Sequence, residues 1–281
     1  MRIGIRAHDM EQAPFEEVVE NISKKGFQCT QLAPSKLIQD FNVDADAYTP
    51  GMAFYMKEVF AKNHVDVAVL GCYLNLTTPN LTDKEWIFDR YKAHIRFAGL
   101  LGCGMVGTET GAVNAEYRFE KENHSEHALA ILIERVKEII DYAEKMGVVF
   151  GIEPVYTHIM SDIDRTYRVL QAVNSPNLQV IFDPINLLNT DNCKQHDDII
   201  KGAFQLLGKN IAAIHVKDYV MKADKLAGIP CGQGDFNHKL LLEYVKKQKP
   251  FIHVLLEDTI PSNAIQAREY MESIYNSIQT N

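Results

Sequence analysis

The chain has 281 residues, 46% of them hydrophobic, and a formal net charge of −8. That length buries a sizeable core and suits an α/β barrel, which takes roughly 250 residues in one domain. The acidic balance excludes a broad surface for the phosphate backbone of nucleic acid, and no apolar run approaches the ~18 residues that read as a membrane span.

In chain order, strand-like and helix-like segments alternate. A first strand over 3–7 is followed by a helix that has Pro14 near its start and Phe15, Val18, Val19 and Ile22 on one face, and that stops at Gly26. A weaker strand over 28–33 leads into a polar loop reaching Tyr48, and Pro50 opens a helix to about residue 63. The β-branched run 65–70 is a third strand. Asp83 is the expected cap of a helix to Leu101, and 105–108 is the fourth strand, with Glu109 at its mouth. A long helix from Ser125 to Met146 ends at Gly147, and later helices fall at 163–173, 197–207, 237–247 and 264–278.

Between those later helices lie four apolar runs, each ending in a side chain that could bind a metal. Val148 to Ile152 ends in Glu153, Leu178 to Phe182 in Asp183, Ile211 to Ile214 in His215, and Val254 to Leu256 in Glu257. The endings are 30, 32 and 42 residues apart (183−153, 215−183, 257−215), the length of one βα unit. Eight such units with no Pro- or Ser-rich linker predict a single-domain (β/α)8 barrel over residues 1–281. In such a barrel the C-terminal strand ends share one mouth, so the four residues would meet there. Burying a charged group without a partner is costly. Three carboxylates and one imidazole suit one hard or borderline divalent ion, with manganese first and magnesium, cobalt or zinc as alternatives.

The segments Gly151-Ile152-Glu153-Pro154, Phe182-Asp183-Pro184-Ile185-Asn186, His215-Val216-Lys217-Asp218, Gly232-Gln233-Gly234-Asp235 and Leu255-Leu256-Glu257-Asp258 resemble the sugar phosphate isomerase/epimerase superfamily of xylose isomerase-like barrels. The resemblance covers essentially the whole chain. It implies that Glu153, Asp183, His215 and Glu257 bind the metal, and that Glu153 and Glu257 also serve as the acid/base pair. The metal would stabilise an enediolate while the two carboxylates move the proton, giving epimerisation or isomerisation of a small keto-sugar or polyol. Asn186 stands where ketose 3-epimerases of the superfamily carry a histidine. Met221 lies about where they place an arginine, with Lys217 the nearest cation, and Gln31 replaces a second-strand glutamate. These departures touch substrate-holding groups and leave the substrate open, including whether it is phosphorylated.

Other candidates for contact with the carbohydrate are His158, Asn186, Lys217, Glu109 and His8, whereas His253 reads as a core histidine. Gly102, Gly104 and Gly107 match GxGxxG but follow a helix and open a strand, the reverse of a dinucleotide site. His124 and His127 have the wrong spacing for a zincin helix. The glycine-rich stretch 228–234 could cradle phosphate, but Asp235 at the expected helix cap would repel it. An inosose-type dehydratase is the main alternative function. An endonuclease IV-type nuclease fits poorly with the acidic charge and single clear histidine ligand, and a catalytically idle sugar-binding protein is the remaining reading. The five cysteines (Cys29, Cys72, Cys103, Cys193, Cys231) form no CxxC pair and read as reduced and buried. Together with an N-terminus that enters strand-like sequence directly, they make the expected location cytoplasmic. The expected partner is a small-molecule carbohydrate, with no nucleic acid or membrane, and homo-oligomerisation is left open.

Overall fold

The computed structural model describes residues 1–223 and 225–279. Eight parallel strands close into a barrel: β1 (Arg2–Arg6), β2 (Cys29–Leu32), β3 (Asp66–Gly71), β4 (Met105–Glu109), β5 (Val149–Glu153), β6 (Leu178–Phe182), β7 (Ile211–Val216) and β10 (His253–Leu256). Neighbours in sequence are neighbours in the barrel, and β10 closes it by pairing Ile3 with Val254. This is the arrangement the alternating βα pattern predicts. Helices α1 (Phe15–Lys24), α2 (Pro34–Leu37), α3 (Pro50–Lys62), α4 (Leu81–Leu101), α5 (Glu126–Met146), α6 (Ile163–Val173), α7 (His196–Leu206), α8 (His238–Gln248) and α9 (Ala264–Ser277) lie between and after the strands.

The helix ends follow ordinary capping chemistry, but two caps differ from expectation. Asn80, not Asp83, caps α4, its side chain accepting from the amides of Thr82 and Asp83. Asn237, not Asp235, caps α8 by accepting from Leu240 N. In both cases the true cap is an Asx residue close by in sequence, and an isolated Asp or Asn signals a cap without fixing its position. The loop expected before Tyr48 contains α2 and a short 3-10 turn at Ala45–Ala47. The expected loop at 228–234 begins inside a structure that periodicity did not reveal: strands β8 (Asp218–Lys222) and β9 (Lys225–Ile229) form an antiparallel hairpin outside the barrel. All five cysteines are buried and free.

The barrel interior has its own packed floor, made by Cys29, Ala68, Val69, Met105, Ile181, Ala213 and Leu255. Space there is tight. A Cβ on Gly4 would come within 2.7 Å of both Cys29 Sγ and Leu255, and one on Gly107 within 2.5 Å of Val69. A Cβ on Gly151 would lie 2.9 Å from Met105 Sδ. Strand side chains alternate between faces, so the residues two positions after Cys29, Val69, Ile181, Ala213 and Leu255, and after the crowded Gly4, Gly107 and Gly151, also point inward, one layer higher. That layer reads Arg6, Gln31, Gly71, Glu109, Glu153, Asp183, His215 and Glu257, one from each barrel strand or the position just after it. The barrel thus sets polar groups directly on an apolar base.

Candidate active site at the barrel mouth

Glu153, Asp183, His215 and Glu257 are all buried, Asp183 and His215 completely. His215 Nδ1 lies 3.1 Å from Glu153 Oε2 and 3.0 Å from Glu257 Oε1. The ring is aligned for a hydrogen bond with neither, and its Nε2 has no partner. Glu153, His215 and Glu257 each present one ligand atom, all within 4.8 Å of one another. Asp183 stands beside this trio. Its Oδ1 accepts from the amides of Ile185 (2.8 Å) and Asn186 (3.2 Å), while Oδ2 lies 2.9 Å from Lys217 Nζ as an ion contact.

Lys217 and Asn186 knit the carboxylates together. Lys217 Nζ donates to Glu257 Oε2 (2.9 Å) and to Asn186 Oδ1 (2.7 Å). Asn186 Nδ2 in turn donates to Glu153 Oε1 at 2.7 Å. Both residues border the cavity, but their polar atoms are largely engaged with these carboxylates. Arg6 adds a cation from the opposite side: it bonds Asp9 (3.0 Å) and Asp258 (3.2 Å) and lies 3.4 Å from Glu257 Oε1.

The electrostatics follow from this crowding. Burial would lower the His215 pKa, but Glu153 and Glu257 outweigh it and hold it up to about 10. Burial raises Glu153, with His215 opposing and Glu257 adding to the rise. Burial also raises Glu257, yet Lys217, His215 and Arg6 together hold it well below the usual carboxylate range. Asp183 is pushed up to about 6 by burial against the pull of Lys217. The two carboxylates that flank His215 therefore shift in opposite directions: burial dominates at Glu153 and raises it, while Lys217, His215 and Arg6 dominate at Glu257 and lower it.

A cavity of about 130 Å³ opens above the cluster, lined by Arg6, His8, Gln31, Lys36, Tyr73, Glu109, Glu153, Asn186, Lys217 and Glu257. Of the expected contact residues, His8, Glu109, Asn186 and Lys217 line it. His158 stands one step back, its Nδ1 3.7 Å from Glu109 Oε2, and Tyr117 OH donates to the same oxygen at 3.2 Å. Burial, with Arg6 next, lowers the His8 pKa to about 4, and burial alone lowers His158 to about 4, so both rings are neutral near pH 7. Sequence reasoning missed Arg6, Lys36 and Tyr73. The signal for Arg6 was its place two residues beyond Gly4 on an inward face. Lys36 and Tyr73 come from loops and short helices, where no periodicity marks direction.

The glycine-rich stretch has a different task from phosphate binding. Asp218, buried after β7, accepts four backbone N–H groups, from Tyr219 (2.9 Å), Gly232 (3.1 Å), Gly234 (2.9 Å) and Phe236 (3.0 Å). The amides that might cradle a phosphate are closed on the chain's own carboxylate. Gly234 also leaves no room for a side chain, because a Cβ there would lie 2.4 Å from Asp218 Oδ1.

A closed parallel barrel with a buried carboxylate–imidazole cluster at its C-terminal mouth defines the class of protein. Residues 19–274 match the family model described as xylose isomerase-like TIM barrel, and the chain belongs to that family. No curated protein sequence matches it. Among solved structures, a D-tagatose 3-epimerase-like protein superposes with a TM-score of 0.77 at 16% identity, over 98% of this chain and 97% of the other. The IOLI protein with a bound zinc atom gives 0.76 at 17% identity, over the full length of both chains. D-psicose 3-epimerase with D-tagatose, from Clostridium cellulolyticum H10, gives 0.74 at 16% identity over 98% of this chain and 99% of the other. At such identities these likenesses speak for the fold. Among the described residues, no helix is long and apolar enough to cross a membrane.

Proposed function

We propose that this chain is a divalent-metal-dependent isomerase or epimerase of a small keto-sugar or polyol, with Glu153 and Glu257 as its acid/base pair. The observation that carries the reading is the placement of two buried carboxylates on either side of His215, 3.1 and 3.0 Å from its Nδ1, beneath a polar cavity. The donor set fits a divalent ion, since unpartnered atoms of His215 and Asp183 face a carboxylate-rich interior. Glu153, His215 and Glu257 would hold it, with Asp183 as the fourth ligand and manganese as the first choice of metal. When bound, such an ion supplies Lewis-acid polarisation of a carbonyl and offsets charge developing on its oxygen.

The chain's own residues supply the rest. A carbonyl compound in the cavity would present its acidic C–H between Glu153 and Glu257. One carboxylate removes the proton, and the other returns one to the opposite face, inverting that carbon. Return to the adjacent carbon would give aldose–ketose isomerisation. Lys217 and Asn186 fix the direction of both carboxylates, which proton transfer between carbon and oxygen requires. Glu109 and His8, which line the cavity, would bind hydroxyls away from the reacting carbon, with His158 behind Glu109.

The test is NMR of a ketose and inosose panel in D2O with the metal-loaded protein, alongside elemental analysis. Deuterium should enter beside the carbonyl, and Glu153→Gln should slow it by roughly 10²–10⁴-fold. Protein that retains no divalent metal and exchanges no ketose proton would sink the reading. Formation of an enone with loss of water would move the chain to the lyases.

A further inference from the structure

One wall of the cavity carries buried polar atoms without partners. Gln31 is 1% exposed, and its side-chain amide donates to Tyr73 OH, leaving Oε1 without any hydrogen-bond partner. Buried polar atoms in folded proteins are nearly always paired, so such an exception needs an explanation. His8 Nδ1, on the same cavity, is also buried and unpartnered. The wall is held in place. A Cβ on Gly71 would lie 2.7 Å from the Tyr73 ring, so only glycine lets that ring settle into the mouth and fix the Gln31 amide. The β2–β3 pairing also slips by one residue here, Thr30 facing Val67 but Gln31 facing Val69, as is common beside functional sites.

The groups that could hold a phosphate are otherwise occupied. Arg6 is bound to Asp9 and Asp258, Lys217 to Asn186 and Glu257, and the amides of the glycine-rich loop to Asp218. Lys36 is the remaining cation on this cavity among the described residues. Its ammonium sits 4.5 Å from the centroid of the Tyr73 ring, and Glu109 lines the same cavity.

We propose that Gln31 and His8 form a hydroxyl-binding subsite beside the two central glutamates, and that the compound it holds is an uncharged polyol rather than a phosphate ester. The Gln31 carbonyl accepts one hydroxyl hydrogen, and the neutral His8 ring takes a neighbouring hydroxyl. This deepens the function proposed above and rests on it only for what happens at the reacting end.

The experiment is titration calorimetry of the metal-loaded protein with hexitols and inositols, which lack a carbonyl and do not react, and with their phosphate monoesters. At least one neutral polyol should bind, and its monoester should bind tenfold or more weakly. Gln31→Met should weaken the polyol at least tenfold, with a loss of melting temperature no larger than that of removing the single hydrogen bond to Tyr73 OH, which Gln31→Leu would share. Gln31→Glu keeps an acceptor in place and should recover most of the affinity. The inference is overturned if Gln31→Met binds as the wild type does, which would mean that water satisfies the oxygen. It is equally overturned if the monoester binds more tightly, or if no polyol binds at millimolar concentration. Polyol binding that follows the expected pattern in a protein that exchanges no ketose proton would refute the proposed reaction and leave this subsite standing.

Discussion

The two halves of the barrel supply different things to one mouth. From β5 to β10 come Glu153, Asp183, Asn186, His215, Lys217 and Glu257, a set in which nearly every charge is paired with another member. From β1 to β4 and their loops come His8, Gln31, Lys36, Tyr73 and Glu109, where ion pairs are fewer; buried atoms of Gln31 and His8 are unpartnered beside the cavity, whereas those of His215 and Asp183 sit inside the carboxylate cluster. Arg6 is the exception, reaching across from β1 to Glu257 and Asp258. A charge-saturated half is suited to holding proton-transfer groups in one orientation. A half with fewer charges and with unpaired polar atoms beside the cavity is suited to taking its partners from a ligand. On the function proposed above, chemistry and recognition would be segregated around the ring, on an apolar floor common to both.

The largest expected effect tests that segregation through kinetics. Glu257→Gln should lower kcat on a responsive ketose by roughly 10²–10⁴-fold. Glu109→Gln, from the other half, should raise KM by about tenfold with a smaller change in kcat, as loss of one hydrogen bond to a charged group implies. Steady-state kinetics decide the matter, and the comparison breaks if the two variants lose kcat alike.

The next effect concerns stability. Asp218→Ala would leave four backbone amides without their buried acceptor and should destabilise the fold by about 3–5 kcal/mol, read by urea unfolding. The loss should spread into the mouth, because Asp218 follows Lys217 directly. A variant with unchanged stability would mean that the 230–236 loop is held by other contacts.

The smallest effect is a pH dependence from the first half. His94 on α4 is buried, with Nδ1 2.8 Å from the carbonyl of Arg90. Burial is the leading cause that lowers its pKa from 6.5 to about 4. Between those values the unfolded chain binds a proton that the native one does not. Stability therefore falls as pH drops through that window, by at most about 1.4 kcal/mol per pH unit for this group. Urea midpoints between pH 7 and pH 4 should show a shallower fall in His94→Asn, whose amide can keep the contact with Arg90. An equal fall in both proteins would assign the acid sensitivity elsewhere.

Much of the mouth is legible in the sequence. The four strand endings at Glu153, Asp183, His215 and Glu257 stand out because an apolar strand that stops at an ionisable group leaves a signal in the sequence itself. The eight βα units are legible for the same reason, since period and spacing are local properties. Lys36 and Tyr73 leave no such signal. Each sits in a loop or a one-turn helix, and its direction is set by what packs beneath it, as Gly71 beneath Tyr73 shows. The glycine-rich 228–234 stretch is the sharpest case. Its composition is equally consistent with a phosphate cradle, and only the buried carboxylate of Asp218 shows that its amides are already satisfied.

The sequence by itself determined the strand count, the parallel barrel and the four ionisable strand ends, because hydrophobic periodicity and strand termini are written residue by residue. Tertiary structure decided which of those ends converge and which of the neighbouring polar groups are already paired. Glu153, His215 and Glu257 present ligand atoms within 4.8 Å of one another, Asp183 is shared with Lys217, and Gln31 keeps an unpartnered buried oxygen. Those outcomes depend on distances between residues as much as 251 positions apart, from Arg6 to Glu257, which only closure of the barrel brings to 3.4 Å.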